Sequence, residues 1–105
     1  MKIDERFIAI SLIDYYGSLL TEHQLEVLKD YYYNDFSMIE IAENYKVSKS
    51  AISDLIKRSI NQLNDYEDKL NLIQLAKKRE KILDELSKIE DERVITLVNT
   101  LRDLE

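Results

Sequence analysis

The chain contains almost none of the residues that turn a backbone sharply, since its 105 residues include one glycine, Gly17, and no proline. Tight β-hairpins need residues with positive φ, which glycine or Asn-Gly pairs usually supply. One glycine cannot provide the several hairpins that a sheet protein of this length requires. The sequence therefore predicts an all-α fold, and the length is sufficient for one hydrophobic core.

Charge differs between the two halves of the chain, although the formal net charge is −6. Residues 1–47 carry four basic and nine acidic side chains, whereas residues 48–105 carry eleven and twelve. The acidic total argues against a general binder of phosphate backbones, but the basic residues are concentrated in the second half. The chain has no cysteine for a disulfide, a thiolate metal site or a nucleophile, and no segment approaches the ~20 apolar residues of a membrane span. We therefore expect a soluble, cytoplasmic protein without a metal or cofactor.

The first predicted helix runs from about Asp4 to Leu20 and is apolar over most of its circumference. A helix of this composition is expected to be buried on several sides or to meet a second subunit. Gly17 lies near its end and is interpreted as a tolerated residue rather than as a close helix contact. The apolar surface of this helix is the first of two features that predict a homodimer.

Side chains that cap helices mark the next three helix starts. Thr21-Glu22-His23-Gln24 and Ser37-Met38-Ile39-Glu40 have the form of capping boxes, in which the first and fourth side chains bond to N–H groups at the helix start. Ser48 is placed to cap a fourth helix that begins at Lys49. The third helix is therefore short and ends near Asn44.

Residues 37–58 carry the pattern of a helix-turn-helix. Ala42 is small where the two helices should cross, and apolar residues fix the crossing: Ile41, Tyr45, Val47, Ile52 and Leu55. Lys46 stands where the turn usually has glycine, which costs about 1 kcal/mol if the residue is left-handed. The candidate DNA-contacting residues are Ser48, Lys49, Ser50, Ser53, Lys57 and Arg58. Asp54 would repel the DNA backbone unless it met a cytosine amine, so DNA binding and a protein-interaction role remain open alternatives.

The fourth helix has no proline or glycine to end it. A heptad seam along it requires a partner, either a second chain or the C-terminal helix folded back, and is the second feature that predicts a homodimer: Ile52, Ile56, Ser59, Leu63, Tyr66, Leu70 and Ile73. The seam fails at Lys77, so either one long lever continues or a bend or new helix begins within residues 64–72. We divide the chain into a helix-turn-helix domain, residues 1–63, and a helical C-terminal arm, residues 64–105, whose last helix folds back against the preceding one.

A second basic segment lies in this arm and consists of Lys77, Lys78, Arg79 and Lys81. It fits an RNA groove or an acidic protein surface, although a solvated helix face is the commoner fate of such a run. The carboxylates of the chain accompany no recognisable nucleophile, phosphate-binding loop or apolar pocket. The sequence therefore predicts a protein without enzymatic activity.

Several of these segments together resemble the YlxM family of small bacterial helix-turn-helix proteins. The stretches that carry the resemblance include Tyr15-Tyr16-Gly17-Ser18-Leu19-Leu20-Thr21-Glu22-His23-Gln24, Ile39-Glu40-Ile41-Ala42-Glu43, Val47-Ser48-Lys49-Ser50-Ala51-Ile52 and Asp65-Tyr66-Glu67. The helix-turn-helix part is also similar to sigma-factor region four. The resemblance implies an accessory or regulatory role in the signal recognition particle pathway, through the particle's GTPase, its RNA or both. A DNA-binding transcription regulator is the alternative.

Overall fold

The computed structural model describes residues 3–105, and no β-strand occurs within that range. Its α-helices are α1 (Ile3–Tyr16), α2 (Glu22–Tyr32), α3 (Met38–Tyr45), α4 (Lys49–Leu70), α5 (Leu72–Ser87) and α6 (Glu92–Asp103). A short 3₁₀ turn, Gly17–Leu19, follows α1. The all-α prediction is confirmed. Across the same range, no helix combines the length and apolar character that a membrane crossing requires.

Side-chain caps set the helix starts that the sequence predicts. Thr21 accepts a hydrogen bond from the Gln24 N–H at 3.2 Å, and the Gln24 side chain accepts one from the Thr21 N–H at 3.0 Å. Ser37 and Glu40 form the same reciprocal pair at the start of α3. Ser48 accepts a hydrogen bond from the Ala51 N–H at 3.1 Å. Each bond satisfies an N–H group that has no partner within its helix.

The heptad seam of α4 faces the core of its own domain. Ile52, Ile56, Ser59 and Leu63 are all buried. The helices α1, α2 and α3 cover this seam with Ala9, Leu12, Ile13, Tyr16, Val27, Leu28, Tyr32, Ile41 and Ala42. The expectation that a second chain or the C-terminal helix closes the seam was therefore wrong for these four residues, because the first three helices of the same chain cover them.

Helix α1 is buried along one face only, which corrects the expectation that it is buried on several sides. Its other face exposes three large apolar side chains, Phe7, Ile8 and Tyr15, and Leu19 of the following 3₁₀ turn is exposed as well. Gly17 is a close-contact position rather than a merely tolerated residue, since a Cβ there would lie 2.9 Å from Leu25 Cδ1 and 3.3 Å from Ile13 Cγ2. Gly17, the first residue of the 3₁₀ turn, therefore lies where Leu25 of α2 packs against it.

The long helix breaks at Asn71, which lies inside the interval where the sequence allowed a bend. Asn71 has φ 57° and ψ 25°, in the left-handed region, and its N–H bonds to the Glu67 carbonyl at 2.8 Å. Asparagine tolerates this conformation better than most residues other than glycine. The chain therefore does not continue from α4 into α5 as one uninterrupted lever.

Tyr16 supplies the hydrogen bonds that the start of α5 needs. Its hydroxyl accepts the Leu72 N–H at 3.1 Å and donates to Glu67 Oε1 at 2.5 Å, and the same Glu67 oxygen accepts the Ile73 N–H at 3.0 Å. Tyr16 is 1% exposed. Burial raises the pKa of its phenol above the ordinary value of 10.0, and the hydrogen bond to Glu67 raises it further. We call this arrangement the Tyr16 latch.

The described chain forms two compact units, of which the first ends at Ile73 and the second runs from Gln74 to Glu105. The first unit extends beyond residue 63 because Tyr66 and Ile73 still pack against its core. The second unit is a hairpin of α5 and α6, in which Leu83 and Val98 are buried. Arg102 of α6 bonds to Glu80 at 2.8 Å and to Asp84 at 2.7 Å. The prediction that the last helix folds back against the preceding one is confirmed.

Tyr16→Phe tests the latch. We expect the free energy of unfolding to fall by about 2 kcal/mol, because the Leu72 N–H and the Glu67 carboxylate each lose the phenol as a hydrogen-bond partner in a partly buried place. Tyr15→Phe removes a hydroxyl from the exposed side of α1 and is the matched control. Equal stability of the two variants in urea unfolding would contradict the role given to Tyr16.

Candidate nucleic-acid interface

The crossing of α3 and α4 has the predicted core with one exception. Ile41 and Ala42 of α3 and Ile52 of α4 are buried, while Tyr45 and Leu55 pack at the edge of the same core. Val47, which the sequence assigned to the crossing, is instead 47% exposed. It lies in the connection between the two helices, so neither helix carries its side chain into the core.

The turn between α3 and α4 is built on a left-handed lysine. Lys46 has φ 58° and ψ 45°. The N–H of Val47 bonds to the Ala42 carbonyl at 3.0 Å, and the N–H of Lys46 bonds to the Glu43 carbonyl at 3.3 Å. This is the bonding of a Schellman motif, which usually places glycine at the left-handed position. Lys46 therefore adopts the left-handed conformation that the sequence pattern indicated for this position, and the helix-turn-helix geometry is retained without glycine.

The candidate contact residues begin at the N-terminus of α4. Most of them are exposed and Ser53 is half-buried. Lys49, Ser50, Ser53 and Lys57 recur at intervals of one to four residues, which places them on one side of the helix. Ser48 is occupied by its capping bond to Ala51. This side can present two lysines and two hydroxyls to a groove.

Arg58 is not available as a free cation. Its Nε donates to Asp54 Oδ2 at 2.8 Å, one helical turn earlier, and both side chains are exposed. A pair of this kind contributes little to stability, but it neutralises the charge of Arg58 toward a phosphate. Asp54, which was expected to repel the DNA backbone, thus pairs with Arg58, one of the candidate DNA-contacting residues.

Two carboxylates of α2 lie beside Tyr45, the last residue of α3. The Tyr45 hydroxyl donates to Glu26 at 3.3 Å, and the Tyr45 ring meets His23 edge-on with the ring centroids 5.0 Å apart. Burial raises the pKa of Tyr45 above 10.0, and the charges of Asp30 and Glu26 raise it further. The second half of the helix-turn-helix therefore offers a few cations beside an acidic neighbouring surface.

A shallow groove runs beside Lys57. It has a volume of about 340 Å³ and is lined by Tyr32, Ile56, Lys57, Ile60 and Asn61. Sequence reasoning did not identify it, because Tyr32 comes from α2 and the rest from α4. Only the packing of those two helices brings these side chains together.

The four residues of the second basic segment do not share one environment on α5. Lys77, Lys78 and Lys81 are exposed, and none has an ion pair within the described residues. Arg79 instead forms an ion pair with Glu105, two residues beyond the end of α6. The structure therefore keeps three of the four predicted residues as an open basic surface, which we call the α5 lysines. The spacing of Arg79 among apolar positions was the signal that it faces elsewhere.

Sequence comparisons agree with this geometry. Residues 3–101 match the UPF0122 family, described as a helix-turn-helix protein, YlxM / p13 like. A UPF0122 protein of Clostridium perfringens is 50% identical over 84 residues, which cover 80% of this chain and 75% of that protein. UPF0122 protein YlxM of Bacillus subtilis is 38% identical over 99 residues, covering 90% of each chain. The resemblance to the YlxM family is confirmed.

Lys46→Gly tests the strain in the turn. We expect the free energy of unfolding to rise by about 0.5 to 1 kcal/mol, because glycine adopts the left-handed conformation without a Cβ clash but gains entropy in the unfolded chain. Lys49→Gly is the control, since it places the same residue in the first turn of α4 and should destabilise. A loss of stability for Lys46→Gly in thermal or urea unfolding would contradict this account.

Proposed function

The chain belongs to the UPF0122 family of YlxM-like helix-turn-helix proteins, and we propose that it is a non-enzymatic accessory factor of the signal recognition particle. In this proposal it acts in the cytoplasm as a homodimer and regulates protein targeting. It binds the particle's GTPase, its RNA or both. The α5 lysines supply the contact to RNA or to an acidic protein surface.

The observation that carries this proposal is the weak positive charge of the helix-turn-helix. Of its three candidate cations, Lys49 and Lys57 remain open and Arg58 is paired with Asp54. Residues 1–47 add a strong acidic excess. A free-standing DNA reader depends on phosphate contacts for much of its affinity. The distribution of charge therefore favours a protein partner, with RNA reached through α5.

Binding to the separated particle components tests the proposal. We expect purified GTPase subunit or particle RNA to bind the chain at low salt, with RNA affinity falling as salt rises because lysine–phosphate contacts release counterions. Replacing Lys77 and Lys81 with alanine should weaken RNA binding by about tenfold. The control replaces Lys29 and Lys69 with alanine, which changes the net charge equally. Absence of binding to either component at low salt would overturn the proposal.

A DNA-binding transcription regulator is the second candidate, and the open side of α4 favours it. Lys49, Ser50, Ser53 and Lys57 lie where a recognition helix contacts the major groove. If the chain has this function, selection from random sequences should yield a DNA duplex that binds it. Replacing Lys57 with alanine should weaken that binding. A selection that enriches no duplex would remove this candidate.

Asp54→Asn tests whether nucleic acid binds through α4 or through the α5 lysines. If nucleic acid binds through α4, the variant should bind it about threefold to tenfold more tightly, because Arg58 becomes free to contact a phosphate. Glu43→Gln makes the same charge change on α3 and is the control. Fluorescence anisotropy with RNA and with duplex DNA measures both. Unchanged affinity for Asp54→Asn would show that α4 does not hold the nucleic acid.

A further inference from the structure

The α5–α6 hairpin has little core of its own. It comprises residues 74–105, fewer than the roughly 40 below which a folded unit usually needs covalent links, metals or association. Leu83 and Val98 are its buried apolar side chains. The sequence contains no cysteine to link the two helices. Most of the hairpin's large apolar side chains therefore lie open to solvent.

Six of these apolar side chains form two stripes with coiled-coil spacing. One stripe repeats every seven residues along α5 and just beyond it, and the other alternates steps of four and three along α6. Each member is between 48% and 79% exposed. The stripes are Leu75, Ile82 and Ile89, and Leu97, Leu101 and Leu104. We call them together the hairpin face.

Both stripes lie on the same side of the hairpin. On α6, Leu97 and Leu101 lie on average about a quarter turn from the buried Val98, at 3.6 residues per turn. On α5, Leu75 and Ile82 lie about a quarter turn from the buried Leu83, in the same rotational sense. Because the two helices run antiparallel, two rotations of the same sense bring the stripes to one side. The hairpin face thus gathers both stripes on one side of the hairpin.

We propose that the hairpin face packs against the same face of a second copy of the chain, with the two copies of α5 antiparallel. Two hairpins then form a four-helix bundle, in which side chains that one copy exposes become a shared core. The proposal specifies the surface of the homodimer named above. It does not depend on a role in the signal recognition particle.

Charge on α5 matches this arrangement. Lys78 and Glu85 are seven residues apart and flank the stripe on the edge away from α6. An antiparallel second copy, with its two-fold axis near Ile82, sets Lys78 opposite Glu85 of that copy and Glu85 opposite its Lys78. The Lys78–Glu85 contact therefore occurs twice across the interface, as contacts between flanking charges do in coiled coils.

The apolar stripe of α1 lacks this complementarity. Asp4 and Asp14 border it, and Arg6 is held by Asp35 at 3.0 Å. A second copy packed on α1 would bring carboxylates near carboxylates, which disfavours the contact. The hairpin face is therefore the better surface for a second copy.

Sedimentation equilibrium of the full chain tests the proposal. We expect a particle of twice 12.5 kDa. Lys78→Glu should weaken the dimer about tenfold, because two attractive contacts become repulsive. The double variant Lys78→Glu/Glu85→Lys should restore wild-type affinity. Lys77→Glu, with the same charge change on another side of α5, should have no effect.

Each other result overturns a stated part of the proposal. A monomer at 100 μM, a concentration at which even a dimer of about 10 μM dissociation constant is mostly associated, removes it. Equal weakening by Lys78→Glu and Lys77→Glu, or no rescue by the double variant, removes the antiparallel pairing. A dimer broken by Ile8→Glu but not by Ile82→Glu would place the interface on α1. Helicity measured by circular dichroism confirms that each variant is folded, and no particle component enters the assay.

Discussion

The buried phenol of Tyr16 is the interaction on which the end of the first unit depends. A helix that ends in a left-handed residue and is followed at once by another helix leaves the first N–H groups of the new helix without local partners. Here Leu72 and Ile73 receive those partners from Tyr16 and Glu67. The same hydroxyl reaches them from α1. One side chain therefore joins the first helix of the domain to the last residues of its core.

The chain makes its turns without glycine at the left-handed positions, which composition alone did not indicate. The described backbone has three non-glycine residues with positive φ, Asp35, Lys46 and Asn71, and each ends or connects helices. Aspartate and asparagine tolerate this region because their short polar side chains bond locally, whereas lysine has no such compensation. Gly17 serves a different need, the close approach of Leu25. The chain thus uses polar residues to turn and its glycine to pack.

Local signals predicted the helices well, because caps and apolar spacing act within a few residues. The starts at Glu22, Met38 and Lys49 follow from hydroxyl caps that the structure shows in place. Errors arose where the answer depends on distant parts of the chain. The seam of α4 is closed by three helices that precede it, and no periodicity within α4 distinguishes that closure from a second chain.

Candidate site residues were harder to assign for the same reason. A list of cations does not show which are already paired, and pairing removed Arg58 and Arg79 from the two basic surfaces. The first pair forms along α4, and the second joins α5 to Glu105, just beyond α6. What remains is a pair of small lysine surfaces on different units of the chain. Affinity for a polyanion rises with the number of phosphates contacted, and in a dimer paired through Lys78 and Glu85 each copy still presents Lys77 and Lys81. Dimerisation would therefore strengthen RNA binding without any added base-specific contact, since linked sites bind more tightly than separate ones.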